Sequence, residues 1–162
     1  MGEAGNAENL RFRRFLKHHH YRDDLLRRIA RTVEEQIDCK SCANCCRESR
    51  VNVSPGDIDK LAGYLNQSRD QVVREYTDQD PQDRETILRQ DGNGCVFLDG
   101  NLCLVYEARP RACREFPYLS SRARSLGGRM SSVCSHAYIC PIIYNTLETY
   151  KHAIGYDRAR SA

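Results

Sequence analysis

Apolar residues recur at three- and four-residue steps over much of the chain, and that spacing predicts helices. From Tyr21 through Leu25, Ile29 and Val33 to Ile37, with Leu26 alongside, a single apolar stripe predicts a helix of about four turns that delivers the chain to Cys39. Ahead of it, from Leu10, a helical arm turns strongly basic through Arg11, Arg13, Arg14 and Lys17 to His18-His19-His20, and residues 1–9 read as a disordered, frayed terminus. Consecutive residues on a helix point about 100° apart, so the triple His reads as solvated basic surface rather than a metal tract.

Further along, Ser54-Pro55-Gly56-Asp57 places an N-cap serine, a first-turn proline and a first-turn acid ahead of Ile58, Leu61 and Leu65, which predicts a second helix. Ser68 and Gln71 form a capping box before Val72, Val73 and Tyr76, marking a third. After a polar stretch from Thr77 to Arg84 the period shortens. Cys95 to Asp99 and Leu102 to Tyr106, separated by Gly100-Asn101, read as one β-hairpin. A two-residue turn there pairs Leu98 with Cys103 and Tyr106 with Cys95, which sends the two thiols to opposite faces; a longer turn reverses that conclusion. Arg109-Pro110 starts a helical turn bearing Cys113, residues 119–132 read as a Ser-, Arg- and Gly-rich loop, and Cys140-Pro141 opens a last helix through Ile142, Ile143, Leu147 and Tyr150.

The pattern gives an α+β fold class: a small, mainly helical single domain with one β-hairpin and loops wrapped around a Cys-ligated centre. Its expected divisions are a terminus at 1–9, a basic amphipathic helical segment at 10–38, a cysteine-cluster domain at 39–152 and a tail at 153–162.

Composition sharpens this picture. The chain has 162 residues, no Trp and four Phe, so its core is expected to be thin. Its 25 basic and 22 acidic residues leave a net charge of +3, without the basic excess of a dedicated nucleic-acid binder. No apolar run has the length of a membrane span, and Met1 to Asn9 lacks the apolar stretch of a secretory signal, so a cytoplasmic location is expected. In that reducing compartment nine Cys read as metal ligands before disulfides.

Four of those thiols fall within eight residues, as Cys39-x-x-Cys42-x-x-Cys45-Cys46. Two intervening residues let the backbone curl so that successive sulfurs reach one centre. Three clustered thiols with one remote partner favour an iron–sulfur cube over zinc, whose structural sites usually join two separated pairs. Cys140, followed by Pro141, is a candidate remote ligand, and Cys95, Cys103, Cys113 and Cys134 complete that site or form a second. Neighbouring thiols seldom reach one metal without a turn, so one of Cys45 and Cys46 is a candidate for a second centre.

Arg47, Arg109, Arg111 and Arg114 lie near these thiols in sequence, where positive charge favours thiolate; alternatively they are exposed or pair with Glu107 and Glu115. His136 and His152 read as core or surface residues before ligands. Tyr106, Phe116, Tyr118, Tyr138 and Tyr144 flank the later cysteines and are expected to exclude water from a centre.

With these residues the chain resembles the CxxCxxCC cysteine-cluster family, the YkgJ-like proteins described as zinc- or iron-chelating. The resemblance runs through Cys39-x-x-Cys42-x-x-Cys45-Cys46, Cys95-Val-Phe-Leu, Cys103-Leu-Val-Tyr106, Arg109-Pro110-x-x-Cys113-Arg114-Glu115-Phe116 and Cys134, over roughly residues 39–140. It implies a metal-binding domain shared with flagellin lysine N-methylases, for which an iron–sulfur cluster is implied. The chain has no glycine-rich strand-to-helix segment suited to a nucleotide or S-adenosylmethionine, so methyl transfer is not carried over.

The expectation is a metal-binding protein holding one or two iron–sulfur clusters of the [4Fe-4S] type, with an electron-transfer, redox-sensing or assembly role beside a protein or redox partner. A zinc-stapled adaptor is the alternative, and an enzyme using His136, Glu107 or Glu115 as base has no spacing in its favour.

Overall fold

The computed structural model describes residues 3–19, 22–119 and 126–156. His20 and Tyr21, much of the loop expected at 119–132 and the tail beyond 156 therefore lie outside the described residues. In chain order the elements are α1 (Glu3–Lys17), α2 (Asp23–Gln36), α3 (Cys39–Cys42), α4 (Asn44–Glu48), α5 (Pro55–Leu65), α6 (Arg69–Tyr76), β1 (Thr77–Gln79), β2 (Thr86–Leu88), β3 (Gln90–Asp91), β4 (Gly94–Cys95), β5 (Leu98–Asp99) and β6 (Leu102–Cys103). A 3₁₀ turn (Tyr106–Ala108), α7 (Arg111–Glu115), α8 (Leu126–His136) and α9 (Pro141–Ala153) follow. The class is mixed α+β and mainly helical. The chain divides into two compact units, Met1–Asp38 with Pro117–Ala162, and Cys39–Phe116.

In the first unit α2 packs on α9, α9 on α8 and α8 on α1. The buried stripe of α2 is Leu26, Ala30 and Val33, with Leu25 and Ile29 at its half-buried edge. The helix α1 begins well inside the segment expected to fray, because its residues are tied down. Asn9 is buried and donates to the Cys134 carbonyl at 3.4 Å, and the buried Lys151 ammonium donates to Glu8 Oε1 and Asn9 Oδ1, each at 2.9 Å. One turn along α1, Phe12 is fully buried and its ring meets that of Tyr156 at 4.9 Å. The helix α8 likewise replaces the second half of the expected loop. Met130, Val133, Cys134 and Ala137 recur at helical spacing and are all buried, which outweighs the poor helix propensity of the neighbouring Gly and Ser residues.

The second unit is built on α5 and α6. Both start with reciprocal capping boxes, Ser54 with Asp57 and Ser68 with Gln71, each supplying about 1 kcal/mol to its helix start. Their apolar faces, with Val53, Leu88, Phe97, Val105 and Ala108, form one core, against which Cys95 and Cys103 pack. In place of the one hairpin expected, three two-stranded antiparallel ladders occur: β1 with β2, β3 with β4, and β5 with β6. The pairing of Leu98 with Cys103 is present, but Cys95 pairs with Gln90 and Tyr106 leaves the ladder to begin the 3₁₀ turn.

Candidate metal centre

The motif cysteines occupy two short helices separated by one unusual residue. Ala43, buried between α3 and α4, adopts the left-handed conformation (φ 52°), which ends α3 and reverses the chain so that Cys45 and Cys46 start a new direction. Arg47 then clamps the segment. Its guanidinium donates to the Cys42 carbonyl at 3.1 Å, the Gly100 carbonyl at 2.8 Å and Asn101 Oδ1 at 2.6 Å, and the Asn101 amide donates to the Ser41 carbonyl at 2.8 Å. The β5–β6 turn is thereby fastened to both motif helices.

Each later thiol is delivered by its own small element. Cys95 ends β4 and Cys103 ends β6, and in each case the backbone N–H two residues on, from Phe97 and Val105, donates to the sulfur. Cys113 lies on α7, whose first residue is anchored by the Arg111 N–H donating at 2.8 Å to Asp57 Oδ1, the same carboxylate that caps α5. Cys46, Cys95, Cys103 and Cys113 act electrostatically on one another, so the fold gathers thiols from α4, β4, β6 and α7. The opposite-face arrangement derived for Cys95 and Cys103 does not hold, because the two belong to different ladders whose directions are set independently.

Burial pushes Cys95 up to about 11 and Cys113 up to about 12, helped in both by the negative charge of the neighbouring thiols. Cys103 is also raised, by burial first. Cys46 moves the other way, to about 7: the Cys45 thiol donates a hydrogen bond to its sulfur, and the charges of Arg109 and Arg47 add to that against the cost of burial. One member of the adjacent pair thus supports the other. Arg109 is held by its own contacts, its guanidinium carbon 3.5 Å from the centre of the Tyr106 ring and its Nε donating to the Tyr106 carbonyl at 2.9 Å. Lys40 approaches the same ring at 4.9 Å. Of the other arginines, Arg111 pairs with Glu115 at 4.0 Å, both exposed, and Arg114 donates to the Arg109 carbonyl.

Cys39 is exposed and Cys42 half-buried on α3. Cys134 and Cys140 belong to the first unit, both buried, on α8 and just before α9. Tyr138 and Tyr144 are exposed members of that unit, whereas Tyr106 is half-buried with Arg109 over its ring. His136 bonds back to the Ser132 carbonyl at 2.7 Å, and the exposed His19 bonds to Phe15 O at 2.9 Å and stacks on its ring. Among the described residues no group of three or more His, Cys, Asp or Glu side chains is placed so that it could hold a metal ion. The gathered donors are all sulfur, a set that suits zinc or iron–sulfur rather than calcium or magnesium.

Residues 38–140 match the model of the CxxCxxCC family, described as a "putative zinc- or iron-chelating domain". The chain belongs to this family. Membership in the CxxCxxCC family supports zinc or iron binding by this chain. Among curated proteins, an uncharacterized protein of Methanocaldococcus jannaschii is 34% identical over 82 residues, which cover 49% of this chain and 43% of that protein. The chain thus spans less than half of that relative's length. No solved structure matches. No helix among the described residues is long and apolar enough to cross a membrane.

Proposed function

We propose that this CxxCxxCC protein holds an iron–sulfur centre, of the [4Fe-4S] type, nucleated on Cys46, Cys95, Cys103 and Cys113, and that it serves in electron transfer or redox sensing. The observation that carries the reading is the gathering of these four thiols from four separate elements, two of them under backbone N–H donors. Hydrogen bonds to sulfur and nearby positive charge are the means by which a protein sets the potential of such a centre. Cys39, Cys42 and Cys45 bring the thiols of this unit to seven, more than one four-coordinate zinc consumes.

An iron–sulfur centre supplies one-electron redox chemistry when bound. The chain's own groups do the rest. Cys46, lowered to about 7 chiefly by the Cys45 hydrogen bond, ionises more readily than Cys95, Cys103 and Cys113, which burial keeps neutral at neutral pH until a cation takes the place of their protons. The α5–α6 core shields Cys95 and Cys103 from solvent.

Iron, zinc and acid-labile sulfide analysis of anaerobically purified protein, with its visible spectrum, tests this. About four irons and four sulfides per chain, with a band that dithionite bleaches, is the expected result. Zinc without sulfide overturns it and leaves a zinc-stapled adaptor.

A further inference from the structure

We infer that Arg47 and Asn101 form a clasp that pins the motif segment, residues 39–48, to the turn preceding Cys103, and that this clasp positions the motif thiols for the metal centre. The inference rests on the thiolate-centre reading above and names the residues that position that site. Among the described residues no group of side chains is placed so that it could hold an ion, so the last approach falls to an element free to move. Cys95 and Cys103 pack against the α5–α6 core. Neither α3 nor α4 buries a residue, and of residues 39–48 only Ala43, between the two helices, is buried. The motif helices rest instead on short ladders, α3 on β6 and α4 on β4.

Arg47 touches both halves of this segment and the turn at once. It belongs to α4, yet one end of its guanidinium donates across the Ala43 reversal to the Cys42 carbonyl in α3, while the other end donates to the Gly100 carbonyl and Asn101 Oδ1. Asn101 closes the circuit by donating to the Ser41 carbonyl, one residue before Cys42. Both residues are exposed, so their bonds add little to the core; their effect is to fix the direction in which α3 and α4 leave Ala43. A segment already held in one direction binds more tightly than a free one, because less ordering is left for the moment of binding. The clasp needs the planar fork of arginine, whose two ends reach acceptors on separate elements; the single ammonium of a lysine does not span them. Arg47 and Asn101 are thus positioning residues for the motif thiols.

The test is cobalt(II) titration of the reduced, metal-free full chain, read by the sulfur-to-cobalt charge-transfer band, with zinc competition for affinity and the metal-free denaturation midpoint measured alongside. Arg47→Gln and Asn101→Ala are each expected to bind about tenfold more weakly, the usual scale for a group supporting a ligand, at an unchanged metal-free midpoint. Arg47→Lys should bind as weakly as Arg47→Gln, and the Arg47→Gln, Asn101→Ala double variant no more weakly than Arg47→Gln alone, because the two residues act as one unit. Wild-type protein that gives no thiolate–cobalt band refutes the thiolate centre itself. A wild-type band with either single variant at wild-type affinity overturns the clasp alone, as do additive losses in the double variant. Recovery of affinity in Arg47→Lys overturns it too, by assigning the effect to charge, and so does a metal-free midpoint that falls with the affinity, which would mean that the pair only stabilises the fold.

Discussion

Gly94 lies so close beneath Cys46 that a β-carbon built on it would stand 2.7 Å from the Cys46 carbonyl oxygen and 2.7 Å from the Arg47 α-carbon. Gly94 also holds φ at +116°, a conformation that side chains resist. The contact joins β4, which carries Cys95, to α4, which carries Cys46. Gly94→Ala must therefore push two thiol-bearing elements apart. It is expected to cost about 2 kcal/mol or more and to lower metal occupancy, measured by chemical denaturation and metal analysis of the same preparation.

The gathered thiols differ from the remaining ones in what their loss should do. Cys46→Ser and Cys113→Ser are expected to abolish the visible band or metal retention. Cys134→Ser and Cys140→Ser, buried in the helical unit, should keep wild-type stoichiometry while losing stability. Retention of full metal by Cys113→Ser would remove α7 from the site.

Asp57 links helix capping to the site, accepting from the Ser54 N–H and hydroxyl and from the Arg111 N–H. Burial opposes its ionisation, but these hydrogen bonds and the Arg114 charge together hold the carboxyl below its usual range. A depressed carboxyl contributes stability that is present above its unfolded value, near pH ~4, and is lost as pH falls through the folded one. Wild-type protein should therefore lose stability more steeply than Asp57→Asn below about pH 4, and Asp57→Ala should cost about 2 kcal/mol at neutral pH. Denaturation midpoints measured across that acid range decide both.

Lys151 is a cation with 4% of its surface exposed, held by Glu8 and Asn9 at 2.9 Å and Glu148 at 2.7 Å. Lys151→Met leaves the partly buried Glu8 carboxylate without its counter-charge, and a loss of about 3–5 kcal/mol is expected. Thermal melting checks it, and a variant as stable as wild type would show that the ammonium is dispensable to α1.

The helix starts were legible because they rest on local chemistry: Ser54 and Ser68 each bond a donor three residues away, and Pro141 fits a first turn. The thiol-rich character of the site was legible from Cys39-x-x-Cys42-x-x-Cys45-Cys46 alone. How the thiols divide was not. That depends on where Cys95 and Cys103 project, and a ladder of two residues leaves almost no periodicity to read; Gln90, the partner of Cys95, lies in a stretch that shows no strand pattern. The reversal at Ala43 was hidden as well, since nothing about an alanine announces a left-handed backbone. The strand β1 passed as a polar segment because only Thr77 of its three residues is buried. In α8, glycine and serine masked a helical stripe that Met130, Val133, Cys134 and Ala137 would have revealed if weighed first.

The brevity of the ladders that present Cys95 and Cys103 bears on how the protein matures. Strands of two residues have no cohesion of their own, whereas α5 and α6 carry complete caps and a shared core. A newly made chain can therefore assemble that helical platform first and keep its thiol-bearing loops pliable, open to whatever delivers the metal, with the arriving ion as the last piece to set.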